Sequence, residues 1–365
     1  MRSVVAGRGI VLGVARLTEN FTSEAPLSGP VLEAISTALS QGWADPKKLS
    51  QASHMARGLK AAAVEEIASH LAISPGNLEV LGEPSLAHFV AIGGYLSNGK
   101  RLITSGVDVG KIRAIARAHP GRNHALEVSI DGQILSSEES FSKDDVASIQ
   151  CTNGETGIGQ NLDSWRNSPA SIILDATRTI PGAGLADGFA AATFDAASWN
   201  GPTGVSIIAI NDAEKFRYPL PHIAPIRVPG SFSLPLLVGS AIALTEMKKC
   251  EDQIYSLREY FATQLSGLDG LELIGGESDH QSRYLTALCQ EFSGEEVLRE
   301  LLKRDIAIDS GSACSPEDLA PSHVLASMGY PTAGSLRFTL HPAHTKSDID
   351  ELIEELKKVL VQLRS

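Results

Sequence analysis

The spacing of apolar residues along the chain predicts helices that alternate with short buried strands. Residues 59–71 repeat apolar side chains every three to four positions, which predicts a helix with one apolar face formed by Leu59, Ala63, Ile67 and Leu71. The same spacing over residues 349–363 predicts an amphipathic C-terminal helix with Ser347 as its N-cap. Both segments are therefore expected to pack one face against a core.

Four short apolar runs, at residues 102–105, 147–152, 171–174 and 205–210, are typical of buried strands. Because helical patterns lie between these runs, we predict an α/β layer fold with a mainly parallel sheet. The pattern changes near Pro235, where a long helical stretch follows. We therefore predict a large domain over residues 16–235 and a smaller C-terminal domain over residues 236–365, with residues 1–15 packed against the smaller one.

The composition is that of a soluble globular protein. The 365 residues include 43% hydrophobic and 20% charged residues, and the net charge is −12 at pH 7. This acidic balance repels nucleic-acid phosphates, so no nucleic-acid partner is predicted. The sequence has no apolar run approaching the roughly 20 residues that span a bilayer and no leader pattern, so we predict a cytoplasmic protein without membrane association.

Cysteines and histidines give no pattern of a metal site. The four cysteines lie far apart and form no CxxC pair, which argues against a disulfide framework and against zinc. His341 and His344 have no carboxylate or cysteine at metal-ligand spacing, so we interpret them as surface residues. We therefore predict no bound metal.

The segment 310–315 (SGSACS) places a cysteine in a loop of small residues. It is followed by residues 322–329 (SHVLASMG) and 334–340 (GSLRFTL). These three blocks, in this order and spacing, resemble the C-terminal signature of the cysteine desulfurases, a branch of the aminotransferase class V family. The resemblance implies that Cys314 is the nucleophile that becomes a persulfide and that Arg337 binds the substrate carboxylate.

The chemistry of both residue types agrees with these roles. A thiolate is a competent nucleophile, and a guanidinium can pair with a carboxylate through two parallel hydrogen bonds. The alternative is that Cys314 is a small buried residue and that Arg337 forms a surface ion pair.

Three blocks in the middle of the chain resemble the same family, at residues 153–157 (NGETG), 174–178 (LDATR) and 201–205 (GPTGV). The resemblance implies that Asn153 binds substrate and that Asp175 pairs with the pyridinium nitrogen of pyridoxal phosphate (PLP). Ser231 corresponds to a loop that reaches a phosphate across a dimer interface, which implies a homodimer. In the alternative interpretation, Asn153 forms a turn, and Asp175 pairs with Arg178 or caps a turn.

The block that carries the PLP-binding lysine in the family departs from the family pattern here. Residues 195–202 are DAASWNGP, so Ser198 stands at the lysine position and Asp195 at the position of a phosphate-binding serine. A hydroxyl group cannot form the imine that anchors PLP. A carboxylate at ~4 Å from each negative charge of a phosphate costs on the order of 4 kcal/mol at an effective dielectric constant of ~20.

Other family contacts to PLP are also replaced. Val107 and Asp108 stand where the family has a Glu-His pair, and Arg178 stands where it has a glutamine. Ser85 remains in the phosphate turn, but Glu83 precedes it. We therefore predict that no PLP is bound and that the remaining cofactor residues are vestigial: Ser85, Asp175, Arg178, Ser198 and Ser231.

The resemblance implies the fold type I architecture of PLP-dependent transferases, with a mainly parallel seven-stranded sheet in a large domain and a smaller C-terminal α/β domain. The first functional hypothesis is a degenerate cysteine desulfurase-like protein that handles sulfur through Cys314, with a desulfurase paralogue or a sulfur-acceptor protein as partner. The alternatives are an active PLP-dependent cysteine desulfurase with an unusual site and a non-catalytic dimeric scaffold that regulates an active paralogue. In a further hypothesis, the altered pocket binds another ligand, with Arg178 and Arg337 recognising an anion.

Overall fold

The computed structural model describes residues 19–96, 99–135, 141–182, 184–185, 187–222, 227–228, 232–275, 282–311 and 321–365. Two predicted site residues, Ser231 and Cys314, lie outside the described residues, as do residues 1–15.

A seven-stranded sheet forms the larger layer. Its strands follow the spatial order β1-β7-β6-β5-β4-β2-β3, and the neighbouring pairs among β2 to β6 run parallel, whereas β7 runs antiparallel to β6 and β1. The predicted mainly parallel seven-stranded sheet is thereby confirmed. The strand bounds are β1 (Leu78–Leu81), β2 (Arg101–Ser105), β3 (Asn123–Leu126), β4 (Asp145–Gln150), β5 (Ser171–Asp175), β6 (Ala191–Asp195) and β7 (Ser206–Ile210).

All four predicted strands are present, and one is shifted. The run at residues 147–152 forms a strand that starts and ends two residues earlier, at Asp145 and Gln150. Gln150 is the last residue paired with β5, and the chain bends at Cys151, whose carbonyl accepts from the N–H of Gln160 at 2.9 Å. Strands β4 to β7 are buried along their whole length, as expected for a sheet covered on both faces.

Helices cover this sheet. The predicted helix at residues 59–71 is the second half of a longer helix that begins at Gln51, where the Ser50 side chain accepts a hydrogen bond from the N–H of Ser53. The helix bounds in this part are α1 (Gly29–Gln41), α2 (Gln51–Leu71), α3 (Pro84–Gly93), α4 (Gly110–Ala118) and α5 (Asp163–Arg166).

The long helix predicted after Pro235 is α6 (Leu234–Ser266), and the proline stands in its first turn, where a missing N–H costs nothing. This helix packs on α1 and α2 and also on the second sheet, whose antiparallel order is β10-β11-β9-β8. The boundary near Pro235 stays a prediction. The remaining elements are β8 (Leu271–Leu273), β9 (Tyr284–Cys289), α7 (Gly294–Leu302), β10 (Asp309–Ser310), α8 (His323–Met328), β11 (Ser335–Thr339) and α9 (Lys346–Arg364).

The N-cap predicted for the C-terminal helix is wrong by two residues. Thr345, not Ser347, precedes α9, and both its N–H and its hydroxyl donate to Oδ2 of Asp348, at 2.7 and 2.6 Å. Asp348 stands three positions after Thr345, as this arrangement requires. The acidic residue at the same spacing after Ser347 is Asp350, whose carboxylate instead accepts from the hydroxyl of Tyr260 at 2.6 Å. The apolar face is buried as predicted, at Ile349, Leu352, Ile353, Leu356 and Leu360.

Within the described ranges, none of the helices combines the length and the apolar character needed to cross a bilayer.

Candidate active site

A cavity of about 330 Å³ lies where the carboxyl end of β4 and the loop after β5 face the four-stranded sheet. The crevice beyond the carboxyl ends of parallel strands is the usual ligand site of open α/β sheets. Polar and charged side chains from both sheets line the cavity, among them Gln150, Asn153, Glu155, Arg178, Tyr284, Asp309, His323 and Arg337. Three of the predicted site residues, Asn153, Arg178 and Arg337, are thus brought together.

Asn153 organises the turn that follows β4. Its Oδ1 accepts hydrogen bonds from the N–H groups of Glu155 and Thr156, both at 2.9 Å. Its Nδ2 donates to the Val107 carbonyl at 3.2 Å and to Oε1 of Gln150 at 2.9 Å. Because both amide hydrogens are already used, the geometry supports turn formation, and substrate binding by this side chain stays a prediction.

Arg178 lies across the turn formed by residues 153–157. A Cβ added to Gly154 would stand 2.6 Å from Cγ of Arg178, so only glycine lets the arginine pass this closely. Burial lowers the pKa of the guanidinium, but Tyr284, Asp195 and Asp175 outweigh burial and raise it above its ordinary value. Arg178 is therefore a permanent cation on the cavity wall.

Tyr284 places a phenol between two arginines. The guanidinium of Arg283 lies 5.4 Å from the centre of its ring. Burial raises the pKa of the phenol, whereas Arg283 and Arg178 lower it, and the net pKa is below the ordinary value. The hydroxyl is buried and makes no hydrogen bond of normal geometry within the described residues.

Asp175 ends β5 and is paired with a histidine that the sequence did not indicate. Nε2 of His88 lies 3.1 Å from Oδ1 of Asp175, and both side chains are buried. The N–H and hydroxyl of Thr177 also donate to that oxygen, at 3.0 and 2.6 Å. Of the two roles considered for a ligand-free Asp175, the cap of a turn is therefore present, and its hydrogen-bonded side-chain partner outside that turn is His88 rather than Arg178.

The other aspartate of this region, Asp108, is fully buried. Its Oδ2 accepts a hydrogen bond from the N–H of Ser105 at 2.7 Å, and its Oδ1 has no partner among the described residues. Burial, with a further contribution from the charge of Asp175, raises the pKa of Asp108 to about 7. A carboxyl group that holds its proton up to about pH 7 thus stands near the His88–Asp175 pair.

Ser198 lies in a short 3₁₀ helix, Ala196–Trp199, directly after β6. It is buried, and its hydroxyl lies within hydrogen-bond distance of the carbonyls of Thr179 and Asp195, at 3.0 and 2.9 Å. The carboxylate of Asp195 accepts from the N–H of Ala197 at 3.1 Å, and burial raises its pKa. Both side chains are therefore already bonded to the local backbone.

Glu83 caps α3 at the turn that carries Ser85. Its two carboxylate oxygens accept the N–H groups of Ser85 and Leu86, at 2.9 and 2.7 Å. These N–H groups are the donors that a helix N-terminus offers to an anion. Lys111 lies 3.5 Å from the same carboxylate. The carboxylate of Glu83 therefore occupies the place that an external anion would take at this helix end.

Arg337 projects from β11 opposite Asp309 of β10. Its Nη2 lies 3.5 Å from the carbonyl of Ser310, and the side chain is partly buried on the cavity wall. It is therefore not a residue of the open surface. Strand β10 ends at Ser310, four residues before Cys314.

His341 and His344 are fully buried, so their interpretation as surface residues is wrong. His341 Nε2 lies 2.8 Å from the carbonyl of Thr22, and burial lowers the pKa of its imidazole to about 3. In the described residues, no group of three potential ligands is arranged to hold a metal ion.

The sequence interpretation missed three residues of the site. Gln150 and Tyr284 line the cavity, and His88 is bonded to Asp175. The sequence could have indicated Gln150, because a polar residue at the carboxyl end of a buried strand in a parallel sheet faces the ligand crevice. His88 and Tyr284 come from distant segments, 87 and 109 positions from Asp175 in the sequence, and no local pattern marks them.

Comparisons with known proteins agree with this architecture. The family described as aminotransferase class-V matches residues 234–352. The cysteine desulfurase IscS of Dictyoglomus turgidum is 28% identical over 176 residues, which cover 45% of this chain and 44% of that protein. The IscS of Pseudomonas aeruginosa is 25% identical over 313 residues, which cover 79% and 75%. A solved NifS-like protein has a TM-score of 0.78 at 19% identity and covers 94% of this chain and 99% of its own, which shows a shared fold.

The prediction that no PLP is bound is wrong, because the similar curated proteins are cysteine desulfurases, a PLP-dependent class of enzyme, and the class-V aminotransferase family matches residues 234–352. A PLP cofactor is therefore expected. The prediction failed because it inferred occupancy from individual substitutions, whereas similarity over most of the chain is the broader observation.

The described residues match PLP at one end only. Oδ2 of Asp175 is buried and has no hydrogen-bond partner in the described ranges, which suits a ring nitrogen that carries a proton. At the other end, Ser198 offers a bonded hydroxyl instead of an amine, and Glu83 occupies the helix donors that would meet a phosphate. The site therefore fits the ring but not the family's covalent link.

Proposed function

We propose that this cysteine desulfurase-like chain, in which residues 234–352 match the aminotransferase class-V family, handles sulfur as a persulfide on Cys314. The proposal places the carboxylate of an amino acid at Arg337. The match to the Dictyoglomus relative spans less than half of either protein, so activity, substrate and partners are all parts of the proposal.

The observation that carries the proposal is the short stretch of polypeptide that connects the cavity wall to Cys314. Arg337 and Asp309 are opposite each other on the cavity wall, and the chain continues from Asp309 through Ser310 and Gly311. Three further residues reach Cys314, and three extended residues span at most about 11 Å. This chain length is short enough for the Cys314 thiol to act at the cavity that Arg337 lines, which supports the proposal.

The proposed step needs only a thiolate and a sulfur donor. The Cys314 thiolate attacks the outer sulfur of a persulfide on a donor protein or small thiol. The new S–S bond forms on Cys314 while the donor S–S bond breaks, and the donor leaves as a thiolate. No net oxidation occurs, so no additional oxidant is required.

The change of Cys314 to serine is expected to abolish persulfide formation, because an alcohol cannot form the S–S bond. The full-length chain would be incubated with an active cysteine desulfurase and L-cysteine, and the added sulfur mapped by mass spectrometry of peptides. Cys250, which is a partly exposed free cysteine, provides the matched control, and Cys250→Ser is expected to keep the full signal. Sulfur on Cys250, or none on Cys314 of the unaltered chain, contradicts the proposal.

A second candidate is an active PLP-dependent cysteine desulfurase with an unusual site. The unpartnered Oδ2 of Asp175 supports it, since this oxygen suits the ring nitrogen of PLP. Release of alanine from L-cysteine by the chain alone, after addition of PLP, distinguishes it from a protein that only accepts sulfur. A yellow imine absorbance that borohydride removes would in addition identify an amine of this chain as the anchor.

A further inference from the structure

On the cavity wall formed by Gln150, Arg178 and Tyr284, two buried polar groups have no hydrogen-bond partner among the described residues. Gln150 is 1% exposed, and its Nε2 has no partner within the described residues. The Tyr284 side chain is 3% exposed, and its hydroxyl also has no partner within the described residues. A buried polar group without a partner costs about 1–3 kcal/mol, so two such groups on one cavity indicate a missing acceptor.

These three side chains are contiguous. Gln150 contacts Asn153 through a hydrogen bond of 2.9 Å, and the turn continues to Gly154, over which Arg178 lies. Tyr284 lies close enough to Arg178 for each to shift the pKa of the other. An amide N–H₂, a guanidinium and a phenol O–H therefore form one patch on the wall, and all three can donate to an oxyanion.

The cavity also contains negative groups that limit which ligand fits. Glu155 and Asp309 line it, and Oε1 of Glu155 is buried without a partner in the part of the chain that the structure describes. Asp309 accepts the N–H of Ser23 at 2.7 Å. Glu155 would repel a simple dianion. A ligand that also carries an ammonium group could instead donate a hydrogen bond to Oε1 of Glu155.

We propose that Gln150, Arg178 and Tyr284 form a second anion subsite, so that the cavity takes an α-amino acid whose side chain ends in an acidic group. Arg337 binds the α-carboxylate, Glu155 accepts from the ammonium, and the second subsite binds the side-chain acid. The assignment of the α-carboxylate rests on the proposed function. The cavity of about 330 Å³ accommodates a molecule of the size of aspartate or phosphoserine.

Calorimetric titration of the full-length chain with L-aspartate, O-phospho-L-serine and L-alanine tests the second subsite. A charge-assisted hydrogen bond contributes about 1.5–3 kcal/mol, so both acidic amino acids are expected to bind about ten- to a hundredfold more tightly than alanine. Equal affinity for the three ligands overturns the inference. Titrations with and without added PLP are run in parallel, and the preference is expected in both.

The change Arg178→Gln is expected to reduce this preference to within about threefold, because the guanidinium supplies most of the attraction. Tyr284→Phe, which removes only the hydroxyl, is expected to lose part of the preference. This variant also tests the inference if the arginine variant does not fold. Arg166→Gln is the matched control, because Arg166 pairs with Asp163 outside the cavity. A preference that survives both site variants contradicts the inference.

The two proposals fail separately. A chain that accepts sulfur on Cys314 but shows no preference for acidic amino acids keeps the proposed function and loses the second subsite. A chain that shows the preference without any persulfide keeps the subsite and loses the sulfur-transfer role.

Discussion

Replacement of His88 by alanine is expected to lower the free energy of unfolding at pH 7 by about 3–5 kcal/mol. His88 and Asp175 are 3% and 2% exposed, and their ring nitrogen and carboxylate oxygen are 3.1 Å apart. An ionised carboxylate can only accept, so Nε2 carries the hydrogen of this bond. Without the imidazole, Asp175 is left as a buried charge with only the Thr177 donors. Urea unfolding of the full-length chain measures the change.

A surface control and a double-mutant cycle separate the loss of the pair from the loss of packing. His54 is exposed on α2, and His54→Ala is expected to change stability by less than about 0.5 kcal/mol. The double variant His88→Ala with Asp175→Asn is expected to be less destabilised than the sum of the two single variants, because the unpaired charge is gone. Additive effects would show that His88 acts only as packing volume.

The pH dependence of this pair follows from the lowered pKa of Asp175. Burial opposes ionisation of this carboxyl, but His88 and the donors of Thr177 outweigh it and lower the pKa from 3.8 to about 2. The ionised group therefore contributes stability that is fully present above pH 3.8 and is lost as the pH falls towards 2. His88→Ala is expected to remove this contribution.

The change Asp108→Asn is expected to flatten the dependence of stability on pH between pH 4 and pH 7. Burial and the charge of Asp175 raise the pKa of Asp108 from 3.8 to about 7 in the folded chain. Between these values the folded protein holds a proton that the unfolded chain releases, so stability falls as the pH rises. A shift of this size corresponds to at most about 4 kcal/mol, whereas asparagine is neutral throughout.

Denaturant unfolding at several values from pH 4 to pH 8 measures this slope. The unaltered chain is expected to lose more stability over this range than the variant, and the two curves are expected to become parallel only as the pH approaches 8. Asp144, which is exposed, provides the control, and Asp144→Asn is expected to leave the slope unchanged. If Asp108→Asn and Asp144→Asn give the same slope, the buried carboxyl is already ionised near neutral pH and the assignment is wrong.

Local patterns predicted much of the fold because buried apolar residues recur along the sequence with the period of the helix or strand that they form. The apolar spacing of residues 349–363 and the four short apolar runs correspond to α9, β2, β4, β5 and β7. The residual errors are also local: Thr345 rather than Ser347 caps α9 through its bonds to Asp348, and β4 ends at Gln150 because the chain bends at Cys151. The turn role considered for Asn153 likewise needs only residues two and three positions away.

By itself, the sequence determined the α/β class, the mainly parallel sheet and the resemblance to cysteine desulfurases, since these depend on periodicity and on short contiguous motifs. Only the tertiary structure decided that His88 is the partner of Asp175, that Tyr284 faces Arg178, and that His341 is buried. Each of these contacts joins segments that are far apart in the chain. The partner of a buried polar group is selected by which distant segments the packed core brings within about 3 Å, and no local spacing encodes that choice.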